Sequence, residues 1–320
     1  MTPDQVISIL AAITLFELMV AIGLNATLAD VAGVVRNWRL VGRAALANYV
    51  CVPAAAALLL LLFQPLAPDQ ANYAFVAAGF LMAAVCPGAP YGPPFTGMAK
   101  GNVGVAVGLM VILAGSSALV APLLLQALLP LLMVSLPPLP EGSALRIEAL
   151  RIVLTLLITQ FLPLCIGLAV GHWLPRLAAR LKRPANLLSV VLNVATLGVI
   201  LTVQWAMLIT IPLVAFAGML VLVMAALGAG WLLSGPRKEH HTAMAMAAGM
   251  RNVAVSMVIA TASFPGTKAV TAATAFALFQ TIVLALLALA WGWLAPPKSG
   301  GPPETDTQAP PTAAMKATGP

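Results

Sequence analysis

The sequence predicts an all-α, multi-pass membrane protein. Of its 320 residues, 61% are hydrophobic and 8% are charged. Apolar runs of membrane-spanning length, which takes roughly 20 residues per crossing, recur between residues 6 and 294. One run is interrupted in each half of the chain, at matching positions. With an odd number of crossings between the starting points of these two runs, corresponding helices of the two halves run in opposite directions, which predicts an inverted repeat.

The apolar runs predict nine transmembrane helices with short connections. Their bounds are 6–28, 42–63, 71–99, 102–133, 149–174, 187–210, 212–233, 242–263 and 271–294. We therefore predict one transmembrane domain over residues 1–295. Residues 296–320 are rich in Pro, Thr and Gly and lack large apolar residues, which predicts a disordered cytoplasmic tail.

The basic residues predict the orientation of these helices. The net charge is +7, but the basic residues lie between apolar runs, which argues against nucleic-acid binding. The connections after the odd-numbered runs carry Arg36, Arg39, Arg43, Lys100, Arg176, Arg180, Lys182, Arg183, Arg237, Lys238, Lys298 and Lys316. The opposite connections carry only Arg146, Arg151 and Lys268. The positive-inside rule thus predicts an inner (plasma) membrane protein with the N-terminus outside and the C-terminus in the cytoplasm.

The third run is interrupted by AVCPGAPYGPPFTGMAKGN, residues 84–102, which contains four prolines and four glycines. Proline removes a backbone donor and blocks the preceding turn, so a regular helix cannot continue here. An unwound segment is tolerated at membrane depth only where it is buried in protein or lines a wet cavity. A simple kink is the alternative, although one proline generally suffices for that. We expect the two half-helix ends to offer partial charges to an ion or a polar substrate.

The eighth run is interrupted by AAGMRN, residues 247–252, which places Arg251 far from either end of an apolar run. A charge at such a position costs at least about 2.5 kcal/mol on insertion scales and needs a partner or water. Glu17 is the other ionisable residue deep in an apolar run. We hypothesise that Glu17 and Arg251 pair, or share one cavity, and separate when an anionic substrate arrives. A static ion pair is the alternative.

Other chemistry has little support in the sequence. There is no paired-carboxylate or H-E-x-x-H motif and no nucleophile with a positioned base, so we predict neither an enzyme nor a cofactor. The three cysteines show no C-x-x-C spacing, and no metal site is indicated. Isolated Asn and Gln side chains often only bond neighbouring helices. Asn102 and Asn252, at the two interruptions, are the stronger candidates for function.

Five segments carry a resemblance to a known family. They are IGLNATLADV (22–31), NYVCVP (48–53), CPGAPYGPPFTGMAKGNV (86–103), GMRN (249–252) and, more weakly, FALFQTIVLALLA (276–288). Over residues 6–294 the chain resembles the bile acid:sodium symporter family, in particular its bacterial members. The resemblance implies a panel domain and a core domain, with the third and eighth runs as discontinuous helices that cross in the core. Ten-helix members carry one more N-terminal helix, and nine-helix relatives are known.

The resemblance also implies transport of organic anions by alternating access, usually driven by sodium, but the expected sodium ligands are missing. The corresponding positions hold Gly92, Pro93, Ala106, Met110, Ala247 and Arg251. Asn48, which corresponds to a family glutamine, is the one polar side chain retained. A sodium site needs several oxygens, preferably anionic. We therefore predict that the guanidinium of Arg251 stands where a sodium ion would, with coupling to protons through Glu17 or no coupling.

The sequence thus predicts a secondary active transporter of a small organic anion in a lipid bilayer. Gln280 and Thr281 align with the family's substrate-lining pair in the last helix. The predicted substrate-binding residues are Glu17, Asn48, Tyr91, Gly92, Pro93, Arg251, Asn252, Gln280 and Thr281. One alternative is a sodium-coupled symporter that uses backbone ligands alone. Another is a transport-inactive membrane receptor or scaffold that kept the fold.

Overall fold

The computed structural model describes residues 3–67, 69–70, 72–136, 148–209 and 211–294, and within these ranges it contains helices and no strand. The described residues include eight helical segments that are long and apolar enough to cross a membrane. They are Gln5–Asn25, Trp38–Leu66, Val103–Met133, Ala149–Trp173, Pro175–Val203, Leu213–Leu233, Lys238–Ser263 and Lys268–Leu294. The all-α membrane class is confirmed. The predicted tail, residues 296–320, and Arg146 lie outside the described residues.

Fourteen α-helices make up the described fold. In the first half they are α1 (Pro3–Asn25), α2 (Leu28–Arg36), α3 (Trp38–Leu46), α4 (Val52–Phe63), α5 (Tyr73–Val85), α6 (Gly92–Met98) and α7 (Val103–Met133). In the second half they are α8 (Ala149–Leu156), α9 (Leu162–Trp173), α10 (Pro175–Leu208), α11 (Leu213–Leu233), α12 (Lys238–Gly249), α13 (Val253–Ser263) and α14 (Lys268–Leu294). Single π-helical turns, Ala47–Cys51 and Leu157–Phe161, join α3 to α4 and α8 to α9.

Both interrupted runs are divided into two helices. The third run forms α5 and α6, and neither of these reaches membrane-spanning length. The eighth run forms α12 and α13, separated by three non-helical residues. Because residues 86–91 between α5 and α6 are non-helical, the third run forms no helical segment long enough to be among the eight spans, and the count of nine crossings stays a prediction.

Two predicted connections are themselves helical. The basic segment 175–186 was expected to be a connection, but it forms the first turns of α10. Pro175 suits a helix start because its missing N–H would be unpaired there in any case, and the Ala, Leu, Arg and Lys residues that follow favour helix. The segment after α1 forms α2, where Thr27 Oγ1 accepts a hydrogen bond from Asp30 N at 3.1 Å as an N-cap.

The helices pack in two groups, which are joined by contacts between α1 and α13. In one, α1 packs against α9 and α10. A Cβ added to Gly23 of α1 would lie 2.8 Å from the Cα of Gly167 in α9, so this crossing needs the two glycines. In the other group, α5 packs against α14 and α11 packs against both α4 and α12. The assignment of these groups to a panel and a core domain stays a prediction.

Candidate functional site

The two helix interruptions, which the family resemblance implies to lie where two helices cross, are in direct contact. The backbone N of Asn252 donates a hydrogen bond to the carbonyl of Cys86 at 2.7 Å. Its side-chain Nδ2 donates to the carbonyl of Gly88 at 3.3 Å. Carbonyls that the first break removes from helical pairing are therefore satisfied by the second break, as buried backbone groups require.

The first break is a six-residue non-helical segment between Val85 and Gly92, and not a kink. Gly88 has a φ of +80°, and a Cβ there would lie 2.3 Å from the backbone N of Ala114 in α7. Only glycine combines that conformation with that approach. Pro93 and Pro94 then occupy the first turn of α6, where a missing N–H costs nothing.

The second break is bounded by an asparagine cap. Asn252 is buried, and its Oδ1 accepts from Val255 N at 3.3 Å at the start of α13. Asn102 caps α7 in the same way, accepting from Val105 N at 3.1 Å. Asn102 thus caps the helix that follows the interrupted third run, and Asn252 caps the second half of the interrupted eighth run, which is a common use of asparagine.

Arg251 lies in the second break, with 1% of its surface exposed. Its Nη1 donates to Asn48 Oδ1 at 2.8 Å and to the carbonyl of Ala248 at 2.9 Å, and its Nη2 lies 3.4 Å from the carbonyl of Asn48. Its Nε is buried and has no hydrogen-bond partner in the part of the chain that the structure describes. All the partners found are neutral, so the positive charge is hydrogen-bonded but not neutralised by a carboxylate.

Gln280 of α14 holds the backbone of the same residue. Its Oε1 accepts from Arg251 N at 3.1 Å, and its Nε2 donates to the carbonyl of Arg251 at 2.9 Å. The hydroxyl of Thr281 donates to the carbonyl of Ala277 in its own helix at 2.8 Å. The side-chain amide of Gln280 thus stabilises the break itself, and the predicted role of both residues as substrate contacts stays a prediction.

Asn48 lies in the π-helical turn between α3 and α4 and is buried. Its Nδ2 donates to the carbonyl of Ala44 at 2.9 Å, which leaves Oδ1 free to accept from Arg251. This turn was not predicted from the sequence, and π-turns are frequent at functional sites. Pro53 was the available signal: proline has no N–H and clashes with the carbonyl four residues earlier, here that of Tyr49. The second π-turn likewise precedes a proline, Pro163.

Glu17 does not pair with Arg251, so the predicted ion pair is wrong, while the alternative that the two residues share one cavity stays a prediction. Glu17 Oε2 accepts a hydrogen bond from Ser189 Oγ of α10 at 2.6 Å. Its Oε1 is buried and has no hydrogen-bond partner within the described ranges. The physical reason is the packing of α1 against α10, while the guanidinium of Arg251 turns to Asn48 and to the carbonyl of Ala248.

The remaining predicted contacts lie at the start of α6. Tyr91 is 40% exposed, and its ring stacks on that of Phe95 with 6.4 Å between the centroids. Gly92 and Pro93 are buried. A Cβ added to Gly92 would meet no atom within 4 Å, so space is open beside it.

Four of the six positions that correspond to sodium ligands line one small cavity. These are Gly92, Ala106, Met110 and Ala247, and the other lining residues are Gly88, Ala89, Leu113 and Met250. The cavity has a volume of about 10 Å³, which is at the lower limit for a single water molecule. Its lining side chains carry no oxygen or nitrogen, whereas sodium requires several oxygen ligands. The side chains of these residues therefore offer no ligand to a sodium ion.

A helical membrane protein in which two broken helices meet around a buried charge belongs, by its architecture, with secondary transporters. The family model described as Sodium Bile acid symporter family matches residues 12–229. The chain therefore belongs to the sodium bile acid symporter family, whose members are transporters rather than enzymes. The match includes the first break and ends before the second, so Arg251 and Gln280 lie beyond it. A comparison with curated proteins gives no match.

Proposed function

We propose that this protein is a secondary active transporter that moves a small organic anion across the membrane by alternating access. Membership of a family of transporters supports the assignment of this protein to the transporters. The contact between the two breaks supports the location of the binding site, because half-helix ends and unwound backbone are the usual ion and substrate ligands in such folds. The buried positive charge of Arg251 supports an anionic substrate.

The environment of Arg251 is the observation on which this proposal depends. A buried guanidinium is costly unless its charge is paired and its donors are satisfied. Here the partners are an amide and backbone carbonyls, and Nε has no partner among the described residues. A carboxylate or sulfonate that reached Arg251 would form charge-assisted hydrogen bonds, which are about twice as strong as neutral ones. Arg251 would then release Asn48, whose amide remains available to the substrate.

We further propose that the guanidinium replaces a sodium ion as the fixed positive charge of the site. The lining of the small cavity beside Gly92 and Ala247 supports this, since it offers no side-chain oxygen to a cation. Arg251 lies in the same break as Met250, which lines that cavity. Coupling would then pass through a proton on Glu17, whose Oε1 has no partner in the described structure, or would be absent.

The proposed substrate contacts surround the two breaks. Arg251 and Asn48 would meet the charged group of the anion. The exposed ring of Tyr91 suits an organic body. Gly92, Pro93, Asn252, Gln280, Thr281 and Glu17 complete the proposed set. The predicted orientation, with the N-terminus outside and the C-terminus in the cytoplasm of an inner membrane, belongs to the same proposal.

A thermal-shift screen of organic anions, each with and without sodium, tests this function and identifies a substrate for uptake assays. We expect carboxylates or sulfonates to stabilise the wild-type protein without sodium and to have no effect on Arg251→Ala. Stabilisation that requires sodium would favour sodium coupling through backbone ligands. Stabilisation without any uptake in reconstituted vesicles would favour a receptor that kept the fold. Equal stabilisation of Arg251→Ala would contradict the role of Arg251.

A further inference from the structure

A second and larger cavity lies between α4, α5, α11 and α14, and no residue of either break lines it. Its volume is about 170 Å³, slightly more than that of an engineered apolar cavity of about 150 Å³ that binds benzene. Aliphatic and aromatic side chains from all four helices form its walls, among them Leu59, Phe80, Met219 and Ala272. Such a cavity suits a hydrocarbon group rather than a polar solute.

The mouth of this cavity carries one ion pair. Lys268 donates from Nζ to Asp69 Oδ2, and both residues line the cavity. Their side chains are 38% and 40% exposed, so other ions can reach them. The hydrogen bond from Lys268 lowers the pKa of Asp69, which further favours the charged carboxylate. The mouth therefore presents a positive and a negative group side by side.

The mouth of the cavity lies near the membrane interface. Asp69 precedes α5, Lys268 is the first residue of α14, and Pro212 of the lining precedes α11. The mouth thus lies where these membrane helices begin, with the hydrocarbon walls further into the bilayer. Next to it, α4 and α11 expose large apolar side chains such as Leu58, Leu62 and Leu220, so the cavity adjoins the surface that faces lipid.

We propose that this cavity binds a phospholipid with a zwitterionic ammonium–phosphate headgroup, taken from the surrounding bilayer. The phosphate would accept hydrogen bonds from Lys268, the ammonium would donate to Asp69, and part of an acyl chain would fill the apolar cavity. This exchange leaves neither charge of the mouth unpaired. An anionic headgroup would instead displace the carboxylate of Asp69 from Lys268 and leave it uncompensated, so the mouth favours a headgroup that carries both charges.

Native mass spectrometry of the full-length protein in detergent tests this proposal. Phosphatidylethanolamine and phosphatidylglycerol with identical acyl chains are added separately over a concentration series. We expect the first bound phosphatidylethanolamine to have an affinity about tenfold higher than the first phosphatidylglycerol, as expected for one additional charge-assisted contact. Equal affinities would overturn the proposed recognition of a zwitterion.

Two variants of α11 locate the site. Gly218→Leu places a side chain in the cavity, and its Cβ meets Phe63 only at an ordinary 3.8 Å. Gly228→Leu is the matched control, since a Cβ there meets no atom within 4 Å and Gly228 does not line the cavity. We expect Gly218→Leu to lose the high-affinity phosphatidylethanolamine and Gly228→Leu to keep it. Retention of that lipid by a folded Gly218→Leu would overturn the assignment of the site.

A charge variant tests the headgroup independently of the packing of α11. The double variant Asp69→Asn with Lys268→Gln removes both charges of the mouth. Its control removes the exposed pair Glu148 and Arg151, whose charged atoms lie 3.8 Å apart. We expect the mouth variant to bind the two lipids equally and the control to keep the tenfold preference. An unchanged preference in the mouth variant would overturn the proposed role of the ion pair.

Discussion

The two breaks differ in what prevents a continuous helix. The first contains prolines and a glycine with positive φ, so its local sequence excludes a regular helix. The second, Met250 to Asn252, contains no proline, and its residues could continue a helix. Contacts with other parts of the chain keep it non-helical. The side chain of Gln280 bonds the N–H and the carbonyl of Arg251, and the backbone N of Asn252 bonds the carbonyl of Cys86. The first break is therefore intrinsic to its sequence, whereas the second depends on tertiary contacts.

The first prediction concerns Gly88→Ala, which should have the largest effect on stability. A Cβ at Gly88 would approach the backbone N of Ala114 to 2.3 Å at a φ of +80°. We expect the free energy of unfolding to fall by about 3 to 4 kcal/mol, from overpacking and left-handed strain together. Denaturant unfolding in mixed micelles measures this. Gly92→Ala is the control, because open space surrounds that position, and an equal loss there would contradict the explanation.

Removal of the side-chain amide of Gln280, which bonds the backbone of the second break, should have the next largest effect on stability. Gln280→Leu leaves the N–H and the carbonyl of Arg251 without their partners. Since a buried unsatisfied polar group costs about 1 to 3 kcal/mol, we expect a loss of about 2 to 3 kcal/mol after the second break relaxes. Thr281→Val, which removes only a bond within α14, should change stability by less than about 1 kcal/mol. A stable Gln280→Leu would show that the second break does not need this contact.

The two asparagine caps allow a smaller and sharper comparison. Asn102→Ala removes a helix cap, which costs about 1 kcal/mol. Asn252→Ala removes the same kind of cap and also the side-chain bond to the carbonyl of Gly88. We therefore expect Asn252→Ala to cost about 1 kcal/mol more than Asn102→Ala, in the same unfolding assay. Equal losses would mean that the side-chain contact between the breaks adds nothing.

The ion pair at the mouth of the larger cavity should have the smallest effect on stability. Because Lys268 lowers the pKa of Asp69 in the folded protein, the pair stabilises the fold above the unfolded pKa of Asp69. This contribution is lost as the pH falls through the lowered, folded pKa. At neutral pH we expect Asp69→Asn to cost about 0.5 kcal/mol, as is typical of exposed pairs. Thermal unfolding at pH 7 and at acid pH checks this, and the difference from wild type should shrink in acid.

Much of the fold follows from composition and local chemistry. The apolar runs predict the membrane helices because each must be long enough to cross a bilayer. The first break follows from Pro87, Pro90 and Gly88, which forbid a continuous helix. The second break was recognised only through Arg251, because a buried arginine is costly in an apolar run. The helical start of α10 was missed because its basic residues, which indicate orientation, are also good helix formers.

The details of the site depend on contacts that no local pattern specifies. The prediction was that Glu17 and Arg251 pair or share one cavity, because both are charged residues deep in apolar runs. In the structure Glu17 accepts a hydrogen bond from Ser189, and this contact depends on how α1 packs against α10. The π-turn that aims Asn48 at Arg251 could have been suspected from Pro53. The hydrogen bonds between Gln280 and the backbone of Arg251 could not have been suspected, since these residues are 29 positions apart in the sequence.

Uptake into reconstituted vesicles tests whether a fixed guanidinium has replaced sodium. The substrate is the organic anion that gives the largest thermal stabilisation, supplied with and without an inward sodium gradient. We expect the initial rate of the wild-type protein to be the same in both conditions. Arg251→Gln should lower it at least about tenfold, because charge-assisted hydrogen bonds to the anion are lost, and Arg251→Lys should retain part of it. Uptake by the wild-type protein that requires the sodium gradient, or unaltered uptake by both variants, would contradict this role of Arg251.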